Sequence, residues 1–401
     1  TDQLAVSGFR TLKGIKDMRP GKKPGVTRIY DLVVNYDEKQ RSDPNRDLPP
    51  RRLPFDLDFN LDWNHSGFFA QGPRKQAAKI ISALDLRVNS REFNTARWYS
   101  VTRWGEGYLQ GLAETRTNAA RAWRWERFVG RDHPSLGKWA PEPNSFRKIK
   151  YKDLSNLHKD GFQETGNLVL LVAGDEPGDG VQALLNETFG EHEKWKAPKS
   201  EALPRTDHEG IQGKVFPDLT RGDVMLEITF APAGIGPGPG SVATVLVLEA
   251  AMDHVLTERL REKEGLTYRA GTNIFPLSGG LLWEIHVTCR PGRTAEVFDL
   301  IRAELERLNE IGFTGDEIAR ARLQLFGPTI RNLSALDSGL LQLRRYQELG
   351  EIPLNPLREL ALVNTGGVNA LFRDVFNPAV FAFTATGPLF EEDLANFEFP
   401  E

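Results

Sequence analysis

"KDLSNLHKDGFQETGNLVLLVAGD" occupies residues 152–175, and "TGGVNALFRDVFNPAVFAFTATG" occupies residues 365–387. Each reads as a short helix, a turn, and then an apolar, β-rich run that stops at a glycine: Gly174 in the first, Gly387 in the second. These glycines lie 213 residues apart, and the same offset pairs Asn156 with Asn369 without a gap. Glycine suits such a strand end because a positive φ costs it least. Two short matches are weak evidence separately. In a chain of 401 residues, too long for one ordinary core, they point to two related halves joined head to tail.

The join is read at 196–212, "KAPKSEALPRTDHEGIQ", which is polar, holds two prolines and lacks either hydrophobic period. The expected organisation is an N-terminal domain over 1–195, a linker over 196–212 and a C-terminal domain over 213–401. The second half is the more legible. "DVMLEITFAP" (223–232) reads as a strand, and "SVATVLVLEAAMDHVLTERLREKE" (241–264) is a long helix that Gly265 stops. "GGLLWEIHVTCRP" (279–291) is a strand ended by Pro291, and "TAEVFDLIRAELERLNEIG" (294–312) is an amphipathic helix stopped by Gly312. Thr314 followed by Glu317 has capping-box spacing for a further helix.

In the first half, 28–37 and 54–63 alternate like strands, 73–86 reads as a helix with Pro73 near its start, and a long helix covers 112–128. Strands mixed with amphipathic helices in both halves make the fold class α+β rather than a doubly wound parallel sheet.

Composition excludes some functions. A hydrophobic content of 40%, a charged content of 26% and a net charge of −4 describe a soluble globular chain without a large basic surface for nucleic acid. No apolar run approaches the ~18–20 residues that span a membrane. The chain starts with Thr1 and no signal-peptide pattern follows, so a processed product is expected, for which a periplasmic or organellar destination would fit. Cys289 is single and sits in an apolar run, where a small buried residue is the economical reading.

Zinc peptidases place two histidines on one helical face at i and i+4 with a glutamate beside them. No two of the seven histidines are four apart; His192 has Lys196 at that position, and a cation repels a metal. No G-x-S-x-G elbow occurs. "GIGPGPG" (234–240) looks like a phosphate loop, but its prolines remove N–H groups that a phosphate needs. Bases and aromatics interleave through 91–104 and 116–128, a pattern that could bind single strands. Helical period gathers Ala119, Ala122, Trp123 and Glu126, so Trp and Arg covering a domain surface or subunit interface is the simpler account.

The elements from 223 to 327, with "LTERLREKEGLTYRAG" (256–271) and "GFTGDEIARARLQL" (312–325), resemble the C-terminal domain of the insulinase/pitrilysin metallopeptidase family, in particular its mitochondrial-processing-peptidase-like branch. "RDHPSLGK" (131–138), 152–176 and "LLNETFGEHEKW" (184–195) resemble the end of that family's N-terminal domain. The resemblance covers 131–401 well and 1–130 poorly. It implies two homologous α+β domains, each an antiparallel sheet flanked by helices. It also implies a catalytic zinc on an inverted H-x-x-E-H helix of the first domain, yet the helix at 73–86 holds neither histidine nor glutamate. No metal or cofactor is therefore expected in this chain; zinc is expected in a partner subunit.

What the resemblance does carry over is a substrate-binding arginine and tyrosine, matched by Arg261 and Tyr268, which in the family can act on a neighbouring subunit's zinc site. Guanidinium and phenol are both donors, suited to a substrate carbonyl and its developing charge. The implied function is a non-catalytic subunit of a heterodimeric zinc metallopeptidase, with a zinc-bearing homologue and a peptide as partners, and neither nucleic acid nor membrane. The rival reading is a proteolytically inactive structural or peptide-holding member of the family.

Overall fold

The computed structural model describes residues 3–10, 56–61, 66–89, most of 105–139, 148–158, 169–174, 179–189, 210–231, 241–277, 280–334, 336–349, 353 and 355–397. The strand expected at 28–37, the run 91–104, the His192 segment, residues 196–209 of the linker and the 234–240 loop lie outside the described residues.

The chain divides into two compact units, one of residues 1–110, 142–199 and 333–341, the other of residues 111–141, 200–332 and 342–401. The first unit contains β1 (Gln3–Arg10), β2 (Asp56–Leu61) and β3 (Ser66–Pro73), then helix α1 (Ala77–Asn89). Apolar residues of α1 recur at Ala77, Ile80, Ala83 and Leu84, the spacing of one helical face, and bury against Ala70 of β3. Period-2 alternation picks out β2 in the sequence, but neither β1 nor β3.

In chain order, α2 (Arg116–Val129) comes next and belongs to the second unit, although its sequence lies in the N-terminal half. The first unit resumes with α3 (Tyr151–His158), β4 (Val169–Gly174) and α4 (Asp179–Phe189). Its sheet has the order β2-β3-β1-β4, with every pair antiparallel.

The second unit continues with β5 (Ile211–Pro217), β6 (Val224–Phe230) and α5 (Ser241–Thr257), which runs on as a π turn over Glu258–Lys263. Then come β7 (Thr267–Leu277), β8 (Gly280–Cys289), α6 (Thr294–Ile311), α7 (Gly315–Ser334), α8 (Leu336–Leu349), α9 (Pro356–Leu362), α10 (Thr365–Val375) and β9 (Phe381–Gly387). The first residues of α8 count with the first unit. The sheet order is β5-β9-β6-β8-β7. β5 joins β9 in parallel at one edge; the other pairs are antiparallel, as the α+β reading expects.

Removing β5 leaves β9-β6-β8-β7, which repeats β4-β1-β3-β2 strand for strand in chain order. The repeated glycines end equivalent strands, β4 and β9. At Gly387 the reason is not a positive φ, which is absent there. A Cβ at that position would stand 2.6 Å from the Asp223 carbonyl oxygen, so close backbone approach excludes a side chain. Asn369 accepts from the Phe313 N–H at 2.7 Å and so ties α10 to the α6–α7 connection.

One face of the second sheet is apolar. Leu226, Ile228 and Phe230 of β6, Trp283, Ile285 and Val287 of β8, and Phe381, Phe383 and Ala385 of β9 share one core with α5, α6 and α10. α5 is apolar nearly all round and accordingly lies inside this core, where a surface helix would show a polar face. The capping box forms: the Glu317 N–H donates to Thr314 Oγ1 at 3.2 Å and the Thr314 N–H to Glu317 Oε2 at 2.6 Å. Cys289 is buried, and burial pushes its thiol up, as befits an inert core residue.

Candidate functional site

The helix that carries Arg261 ends irregularly. Within the π turn the Glu264 N–H donates to the Arg259 carbonyl at 3.3 Å, five residues back. The Leu266 N–H then closes on the Leu260 carbonyl at 2.8 Å, six residues back where an α-helical C-cap would reach five. Gly265 makes the turn possible with φ +63°. Leu260 and Leu266 are buried and anchor both sides of the turn, while Arg261 stands exposed between them.

Most neighbouring charges on this turn are paired. Arg259 meets Glu264 at 3.2 Å, Lys263 meets Glu258 at 2.9 Å, and His254 meets Glu258 at 3.6 Å. Arg261 makes neither ion pair nor hydrogen bond among the described residues.

β7 starts with a bulge. Thr267 lies opposite Cys289 and Arg269 opposite Thr288, which leaves Tyr268 as the extra residue. The Thr267 hydroxyl holds this shape: it accepts from the Arg269 N–H at 3.1 Å and reaches the carbonyls of Thr288 at 2.5 Å and Arg269 at 2.8 Å. Tyr268 is consequently 74% exposed, and among the described residues its hydroxyl has no partner. Bulges re-aim side chains in this way, commonly beside functional sites. Each expected site residue thus sits on a local irregularity, and both flank the Gly265 turn as donors without a partner among the described residues.

The other face of the sheet holds a group of residues that sequence reasoning did not connect. Glu227 and Thr229 of β6, Glu284 of β8 and Thr384 of β9 point to it and are buried. α2 lies over them. Arg124 donates from Nη1 to Glu227 at 2.9 Å, from Nη2 to Glu284 at 2.8 Å and from Nε to Thr229 at 2.9 Å, and also bonds Thr384. Arg121 bridges the same two carboxylates, at 3.1 Å to Glu227 and 3.0 Å to Glu284. Trp125 adds an indole N–H to Glu284 at 2.9 Å.

Two cations and two anions therefore balance, each carboxylate bridged by both guanidiniums. Burial by itself would raise Glu284, but the guanidiniums of Arg124 and then Arg121 outweigh it and hold the carboxyl below its usual range. α2 reaches the sheet through Arg121, Arg124 and Trp125; of the group that helical period gathers, Ala119, Ala122, Trp123 and Glu126, only Ala122 is buried. Arg121 and Arg124 are neutralised within the protein. The clue in the sequence was two isolated glutamates in otherwise apolar strands, Glu227 and Glu284.

Helix α1, which follows β3, does not fit a zinc: its side chains include Lys79, Ser82, Asp85 and Arg87, with no histidine and no glutamate. Among the described residues no three His, Cys, Asp or Glu side chains group as a metal site, and no helix is long and apolar enough to cross a membrane.

Comparison with known proteins bears on the fold and the kind of domain. Residues 148–325 match the family model described as the peptidase M16 inactive domain. An uncharacterized zinc protease of Streptomyces coelicolor is 31% identical over 238 residues, 56% of this chain and 50% of the relative. Another, from Mycobacterium leprae, is 30% identical over 223 residues, 52% of this chain and 48% of the relative. The chain spans about half the length of these relatives. In fold it is similar to the peptidase M16 inactive domain from Pseudomonas fluorescens, with a TM-score of 0.76 at 15% identity over 100% of this chain and 95% of that one. These matches make residues 148–325 similar to the M16 inactive domain in sequence, and the chain similar to it in fold.

Proposed function

We propose that this chain is the non-catalytic half of a two-subunit zinc metallopeptidase, and that Arg261 and Tyr268 contact peptide substrate at a zinc held by a homologous partner of the processing-peptidase type. The observation that carries the reading is the pair itself. Among the described residues two strong donors are left exposed and unpartnered on a π turn and a β-bulge, while Arg259, Lys263, Glu258 and Glu264 beside Arg261 are paired. Irregular backbone of this kind is stabilised elsewhere in a structure and gathers at functional sites. A guanidinium and a phenol so placed would donate to a peptide carbonyl and to the negative charge that grows on it. The missing ligand set on α1 supports assigning the metal to another chain. A structural or peptide-holding role remains the rival.

Reconstitution tests it. The purified chain is mixed with a zinc-bearing M16 homologue from the same cell, and peptide hydrolysis is followed. Activity that appears only in the mixture, with zinc bound solely by the partner, supports the proposal. An intact heterodimer no more active than the partner alone leaves the structural role.

A further inference from the structure

Cys289 and Thr288 are sequence neighbours on a strand and point to opposite faces of the sheet. Their partners Thr267 and Arg269 must therefore also point to opposite faces, although they are only two residues apart. In an unbroken strand that spacing would put both on one face, and Arg269 would be driven towards the core beside Val287. The extra residue sends Arg269 to the face of Thr288, His286 and Glu284 instead, immediately beside Tyr268. Both side chains are exposed.

Arg269 acts on the Asp253 carboxylate only at a distance, as one of the charges that lower it against burial. Among the described residues Arg269 has no ion pair. Glu284 is held by Arg121 and Arg124, and Asp253 accepts from the Thr272 N–H at 2.5 Å and the Thr272 hydroxyl at 2.8 Å. Next on the same face, the His286 ring lies across Gly271, where a Cβ would come within 3.2 Å of Cε1. Its Nδ1 faces the Asn273 amide at 3.2 Å. Burial first, and then the Arg269 charge, push His286 below its ordinary value, so it is neutral at pH 7 and neither repels nor replaces an anion. On this face Arg121 is taken up by Glu227 and Glu284, whereas the exposed Arg269 guanidinium makes no ion pair among the described residues.

We infer that Arg269 is a specificity-determining residue of the Arg261/Tyr268 site, selecting peptides that carry a carboxylate beside the carbonyl held there. A guanidinium presents a planar fork that matches a carboxylate with two parallel bonds. The carboxylate can come from an acidic side chain or from a free peptide C-terminus. This inference rests on the proposed function of the Arg261/Tyr268 pair.

The test uses short fluorescein-labelled synthetic peptides and anisotropy at low salt. One series of pairs differs only by Glu against Gln at each position in turn; another differs by a free against an amidated C-terminus. Wild type, Arg269→Gln, Arg269→Lys and Tyr268→Phe are compared, with thermal melts confirming that each is folded. Wild type should prefer the carboxylate member of one series by about fivefold, the scale of an exposed ion pair. Which series shows the preference identifies the source. Arg269→Gln should erase the ratio and Arg269→Lys should keep part of it. Tyr268→Phe should weaken both members alike and leave the ratio standing.

Equal affinity for both members of every pair in wild type, or an unchanged ratio in Arg269→Gln, overturns the inference. A ratio that depends on Arg269 while Tyr268→Phe binds like wild type upholds carboxylate selection by Arg269 but rejects Tyr268 as a substrate donor. Failure of wild type to bind any peptide rejects both.

Discussion

Arg124 and Glu284, 160 residues apart in sequence, meet at 2.8 Å with neither side chain exposed. The contact is one arm of a four-charge cluster that fastens a helix from the N-terminal half of the sequence onto the sheet of the C-terminal unit. Such a cluster is neutral as a whole but intolerant of losing one member, because the remaining charge would be buried without its partner.

Arg124→Met should therefore destabilise the protein by about 3–5 kcal/mol. Arg124→Lys should rescue little of this, since one ammonium cannot serve Glu227, Glu284 and Thr229 in a planar fork. Urea denaturation of the intact chain measures both. Loss of less than about 1 kcal/mol in Arg124→Met would mean that α2 is held by its aromatic contacts alone.

Acid should loosen the same cluster. Glu284 titrates below its unfolded value of about 4.3, so its contribution is fully present above that pH and is lost as pH falls through the folded value. Glu249 and Asp253, both raised by burial, contribute in the opposite sense as pH rises. Comparison with Glu284→Gln separates the two: the variant should be less stable at pH 7, with a shallower decline towards acid. Parallel stability–pH curves would contradict this.

Tyr268→Phe and Arg261→Ala should leave melting within about 0.5 kcal/mol of wild type, as expected for exposed side chains. Turnover in the reconstituted heterodimer should fall roughly a hundred- to thousand-fold for Tyr268→Phe, the usual cost of one donor at a developing oxyanion, and at least as far for Arg261→Ala. Wild-type turnover by both variants in an intact complex would reject the substrate role.

Thr267→Val keeps the shape of the side chain and removes the hydroxyl that holds the bulge. A cost of about 1–3 kcal/mol is expected, because the Arg269 N–H loses its acceptor. Thr267→Ser should behave as wild type. Amide hydrogen exchange at Arg269 should accelerate in the valine variant only; equal protection in both would show that the bulge does not depend on the hydroxyl.

Gly265→Ala should lower stability by about 1–2 kcal/mol, since φ is +63° there. Gly222, with open space around it and no positive φ, serves as the control at which alanine is tolerated. A calorimetric melt of each distinguishes them.

The sequence by itself determined what depends on near neighbours along the chain. Gly265 as a helix stop, the Thr314/Glu317 cap, β6 and β8 as strands and the α+β class all rest on residues a few positions apart, and the match of Gly174 with Gly387 on one short pattern read twice. Only the tertiary structure decided the rest. A bulge is a mismatch in count between two strands, so the exposure of Tyr268 and Arg269 is set by where Thr288 and Cys289 stand opposite them, and no period read within β7 contains it. The Arg124 cluster is equally invisible to local patterning: α2 shows an ordinary mixture of charge and apolar residues. Its arginines are buried because Glu227 and Glu284, in strands more than 100 residues away, supply the opposite charge that makes their burial tolerable.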